Sequence, residues 1–118
     1  MIKDFNNPFL AGHISSAGIE TVKYMLQKYG KLNFEIFRAK FKKVLKDKLT
    51  NDEKVKDLAN TVNYDEIAKF VYRKIAEYYI THKSFKGLSE YLQLVNFILE
   101  GDLTFRTLRE QDIEKKLF

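Results

Sequence analysis

Cysteine is absent from the chain, and with it go disulfides, thiolate metal sites, iron–sulfur clusters and cysteine nucleophiles. Proline occurs once, at Pro8, and the five glycines stand singly at Gly12, Gly18, Gly30, Gly87 and Gly101. No phosphate-cradling glycine loop is therefore present, and each glycine reads as a turn or a helix cap. The two histidines, His13 and His82, have no metal-ligand spacing, and each falls in or beside a loop, where solvent exposure is expected. Arg73 and His82 share a helix in the manner of a helical ribonuclease type, but the eight residues between them are too many for that motif. Without convergent nucleophiles, acid–base groups or ligands, the chain reads as non-enzymatic, with no metal and no cofactor. No apolar run approaches the roughly 18 residues that a membrane span needs. The opening residues also lack the apolar stretch of a signal peptide, so the expectation is an intracellular, cytoplasmic protein, in the host cell if viral or phage-encoded.

What the chain does contain is enough for one core. Its 118 residues are 45% apolar and 14% aromatic, which opposes disorder, while 31% charged residues keep the surface wet. Helical periodicity dominates and strand-type alternation is missing, so the fold class is all-α, a compact bundle of five to six helices. Residues 1–15, with Pro8 and a glycine, read as an irregular N-terminal arm pinned to the body by Phe5, Phe9 and Leu10, and residues 16–118 as a single helical domain.

A first helix is predicted over residues 16–29, with Gly30 as its stop, and a second over 34–48, capped by Asn33 and carrying Phe34, Phe37, Phe41, Val44 and Leu45 on one side. Together they give a helix-turn-helix-like pair near residues 16–48. Thr50 to Glu53 has the form of a capping box opening a short helix, and Asn63 to Glu66 repeats the device before the longest helix, over 64–82. That helix sets Tyr64, Ile67, Ala68, Val71, Tyr72, Ile75, Tyr78 and Tyr79 against a polar arc containing Asp65, Lys69, Arg73 and Glu77. Further helices are predicted over 86–99 and 103–116.

The net charge of +5 is concentrated. Residues 31–48 hold seven basic residues against Glu35 and Asp47, whereas residues 1–30 hold three against two and the remaining seventy hold eleven against twelve. Projected at 100° per residue, Arg38, Lys42 and Lys46 form an i, i+4, i+8 ladder with a rise of about 6 Å per step. Such a ladder suits a phosphate backbone, with affinity drawn from counterion release. Lys31, Arg38, Lys42, Lys43 and Lys46 are the candidate nucleic-acid contacts, to DNA or RNA, within a larger assembly. A lysine-rich outer face also serves simply to keep small proteins dissolved, but segregation of one sign favours the binding reading. Only Arg38 is placed for base readout, so the contacts expected are to the backbone. The basic face lacks the exposed apolar stripe of an interfacial membrane helix, and no membrane partner is expected.

Tyr64, Tyr72 and Tyr78 fall on the apolar arc of their helix, where core packing is expected in preference to base stacking. The wide apolar face from Tyr91 to Leu99 and the closing Leu117-Phe118 support an alternative function, a protein–protein adaptor or inhibitor of the phage, plasmid or viral accessory kind. It would use Tyr91, Ile98, Leu117 and Phe118 to hold protein subunits or a second copy of the chain. The segment Leu32 to Arg38 (LNFEIFR), followed by Tyr72 to Tyr79 (YRKIAEYY), resembles small helical subunits of multi-protein CRISPR effector complexes, a resemblance that implies guide- or target-strand contact. The last three helices also resemble collar helices of clamp loaders.

Overall fold

The computed structural model describes residues 8–94. Among them it places helices α1 (Pro8–Lys28), α2 (Phe34–Thr50), α3 (Tyr64–His82) and α4 (Leu88–Leu94), a short 3₁₀ helix at Lys56–Asn60, and no strand. The all-α class is as expected from the periodicity. The count of five to six helices is not met among the described residues. The helix expected over 103–116, and the end of that expected over 86–99, lie outside them.

The irregular reading of the N-terminal arm is corrected from residue 8 onward. Helix α1 begins at Pro8 and runs for 21 residues. A proline costs little in the first turn, where its missing N–H would have had no helical partner. Behind it, Leu10, Ile14, Ala17, Val22 and Met25 recur at helical spacing and all are buried, so the stripe outweighs the cost of Gly12 in a helix interior. Gly18 lets α1 approach α3 closely: a Cβ built there would stand 3.0 Å from a Val71 methyl. Helix α1 closes on the Met25 and Leu26 carbonyls, which accept from the N–H groups of Tyr29 and Gly30, and Gly30 takes the left-handed conformation (φ +72°).

Helix α2 starts where Asn33 supplies its side-chain oxygen to the N–H of Ile36, at 3.1 Å. Phe37, Phe41, Leu45 and Leu49 then bury a single stripe at four-residue spacing. The capping box expected at Thr50 does not form, because Thr50 is still helical and its hydroxyl donates back to the Lys46 carbonyl. The Asp52 carboxylate organises the turn instead. It accepts from the Lys54 N–H at 3.0 Å and from the His13 ring at 2.7 Å. The cap at Asn63 does form: its side-chain oxygen accepts from the Glu66 N–H, and its side-chain amide, in place of the backbone N–H of a full capping box, donates to the Glu66 carboxylate.

Helix α3 contacts α1, α2 and α4, and α1 contacts each of the others. The core is the meeting of their stripes, with Phe37 stacked on Phe41 at 5.3 Å and Tyr72 packed against both Phe34 and Phe37 at 5.2 Å. Ser15 of α1 donates to the Leu92 carbonyl of α4 across 77 residues of sequence, fastening the first helix to the last one described.

Candidate nucleic-acid interface

Burial of Phe37, Phe41, Leu45 and Leu49 fixes the rotation of α2 about its axis, and that rotation decides what each cation faces. Arg38 and Lys42 lie on the flank turned towards the start of α3. There Asp65, in the first turn of α3, is held in place by the Asn63 cap. One carboxylate oxygen of Asp65 accepts from both Arg38 Nη1, at 3.2 Å, and Lys42 Nζ, at 2.9 Å. Arg38 Nη2 also reaches Glu35 at 2.8 Å. The Lys42 ammonium, and after it the Arg38 guanidinium, hold the Asp65 carboxyl below the usual carboxylate range. Glu35 in turn, with Asp65 behind it, raises Arg38. The first two rungs of the i, i+4, i+8 ladder are thus ion-paired, both of them by an acid from another helix that no inspection of α2 alone would place there.

Lys31, Lys43 and Lys46 stand apart from this cluster. All three are exposed, and none has a carboxylate partner among the described residues. Lys48, on the core side of α2, pairs with Glu20 of α1 at 2.9 Å and so ties the two helices together.

The opposite flank of α2, towards α1, holds residues that the ladder reading missed. Tyr24, Tyr29, Glu35, Ile36, Ala39, Lys40 and Lys43 line an open groove of about 420 Å³. The Tyr24 and Tyr29 rings meet edge to face at 6.3 Å, and Lys40 Nζ sits 4.3 Å from the Tyr24 ring centre. Lys28, one helical turn after Tyr24, donates to its hydroxyl at 3.1 Å and lies 5.6 Å from the Tyr29 ring. That hydrogen bond lowers the Tyr24 phenol pKa and raises that of Lys28. The sequence did carry a signal for this cluster: a Tyr–Lys pair at i, i+4, followed by a tyrosine at the glycine that ends the helix.

The histidines are also more engaged than expected. His13 is half-buried against Asp52, and His82 donates to the Tyr78 carbonyl while its ring stacks on Tyr78 at 4.1 Å. Of the residues named for an adaptor surface, Tyr91 is half-buried and packs on Tyr78 at 4.9 Å. Ile98, Leu117 and Phe118 lie outside the described residues. Among the described residues no group of acids and histidines is arranged to hold a metal ion, and no helix is long and apolar enough to cross a membrane.

Comparison with known proteins places residues 1–103 on a family model described as "Domain of unknown function (DUF4441)", and the chain belongs to that family. No curated protein and no solved structure matches it.

Proposed function

We propose that this member of the DUF4441 family is a non-enzymatic helical module that contacts nucleic-acid phosphates through α2 and the turn before it, within a larger assembly. One observation carries the reading: Lys31, Lys43 and Lys46 are exposed cations without carboxylate partners among the described residues, on a segment that holds most of the excess charge of the chain. The α1–turn–α2 pair supplies a helix-turn-helix-like outline in which the second helix presents the charge. Arg38 and Lys42 belong to the same surface, but their partners Glu35 and Asp65 make them secondary contacts.

Fluorescence anisotropy with a labelled mixed-sequence oligonucleotide over a range of salt concentrations tests this. Three lysines meeting three phosphates give a slope of log K against log salt of about −2 to −3. Lys43→Glu together with Lys46→Glu should abolish binding, whereas Arg38→Glu with Lys42→Glu should weaken it less. The double variants keep the fold, since exposed charge changes away from caps and cores seldom cost much stability. Absence of binding at low salt overturns the proposal.

A further inference from the structure

We infer that the groove between the end of α1 and the start of α2 takes an unpaired nucleotide of a single-stranded nucleic acid, with Tyr29 as its stacking platform; this rests on the reading that the α2 surface meets nucleic acid. Tyr29 is 42% exposed, one of two large apolar side chains so exposed among the described residues. Its backbone is held: its N–H donates to Met25 O at 2.7 Å, and Gly30 turns the chain away immediately after it. The Tyr24 and Tyr29 rings stand nearly perpendicular to one another and Lys28 lies 5.6 Å from the Tyr29 ring centre, so the exposed part of the Tyr29 ring is an aromatic surface beside a cation of the kind on which unpaired bases stack.

The rest of the groove fits the same occupant. Ile36 and Ala39 give a small apolar floor on which a flat ring can lie close to the helix. Lys40 and Lys43 line the groove and Lys28 flanks it, and together they offer three cations to the phosphates on either side of a stacked base. Glu35 is the one acid in the lining, and Arg38 already holds it at 2.8 Å. The volume of about 420 Å³ is in the range of small-ligand sites of roughly 300–1,000 Å³. A duplex keeps its bases stacked inside a sheath of phosphate, so it can meet the lysines but cannot cover the Tyr29 ring. Selectivity for unpaired strands therefore follows from the ring, and affinity in common with duplex from the lysines.

The test measures binding of the full chain to a labelled 15-nucleotide oligothymidine and to a labelled 15-base-pair duplex at the same salt. Wild type should prefer the single strand. Tyr29→Ala should lose about 5- to 150-fold on the single strand, the worth of one stacked base, with little change on the duplex. Tyr29→Phe, which keeps the ring, should retain single-strand binding. If both probes bind and Tyr29→Ala leaves both unchanged, or if Tyr29→Phe fails along with Tyr29→Ala, the groove assignment falls while phosphate contact stands. If neither probe binds wild type at low salt, the phosphate reading itself falls and takes this one with it. Displacement of the oligonucleotide by poly-glutamate at equal charge concentration overturns the assignment in favour of an acidic polypeptide.

Discussion

Replacing Asp65 by asparagine removes the acid that holds Lys42 and one of the two that hold Arg38. The exchange keeps the size of the side chain and its place in the first turn of α3, and changes the local charge by +1. Arg38 still has Glu35 at 2.8 Å, so the cation set free is Lys42. Each additional cation that reaches a phosphate steepens log K against log salt by about 0.7 for a single strand or about 0.9 for duplex DNA. Across a fourfold rise in salt this amounts to roughly a threefold larger loss of affinity, together with tighter binding at the low-salt end. Anisotropy titrations at four or five salt concentrations resolve a slope change of that size. Thermal unfolding provides the control: Asp65, Arg38 and Lys42 are 59%, 38% and 39% exposed, so the melting temperature should move little. A variant with an unchanged slope, or with weaker binding at low salt, would refute the argument that Asp65 competes with phosphate for these side chains.

Two glycines of α1 should respond with opposite signs. Gly12→Ala has open space around it and should stabilise by about 0.5–1 kcal/mol through helix propensity. Gly18→Ala gains the same propensity but drives a methyl group to 3.0 Å from the buried Val71, and overpacking of about 1–3 kcal/mol should leave it net destabilised in urea unfolding. Equal stabilisation by both changes would show that α1 and α3 do not meet at Gly18. Asn63→Ala deletes the α3 cap and should cost about 1 kcal/mol, read as a lower urea midpoint with unchanged m-value. The hydrogen bond from His13, and after it the Lys54 N–H, lower the Asp52 pKa in the folded chain. A depressed carboxyl contributes stability above its unfolded pKa of about 3.9 that is lost as pH falls through the folded value. The stability gap between wild type and Asp52→Asn should therefore close on acidification below about pH 5, and parallel pH profiles would exclude the contact.

The second helix was legible because Phe37, Phe41 and Leu45 at four-residue spacing and an Asn cap point the same way, although the end expected at residue 48 left out the buried Leu49. For α3, the Asn63 cap gave the start correctly. The start of α1 was hidden by residues that look like punctuation. Pro8 and Gly12 signal a loop when taken singly, yet the stripe Leu10–Ile14–Ala17 runs through them and burial decides. Thr50 to Glu53 misled in the other direction, since a threonine inside a helix can return its hydroxyl to the preceding turn and cap nothing. Arg73, read as part of the polar arc of α3, is buried, because α3 touches three other helices and has little outer face to spare. Of the candidate surface, the spacing of the cations was legible and their surroundings were not. Periodicity within α2 found the lysines, but the pairing of Arg38 and Lys42 depends on an acid 23 to 27 residues further along, and the tyrosines of the groove come from α1. Neither lies within reach of a helical wheel drawn for one segment.

The hydrogen bond from Ser15 to Leu92 bears on the order in which the molecule assembles. A chain emerging from the ribosome presents α1 first, yet α1 lies against every other helix described and its small-residue side is completed only by the last of them. Until about residue 92 has been synthesised, Ser15 and Gly18 must wait beside water or beside a temporary partner. Closing so long a loop is slow compared with forming a helical hairpin, so α1 and α2 should come together early and the α1–α4 contact should limit the folding rate. Chains arrested before α4 would then present a sticky groove along α1, a natural target for chaperones and proteases.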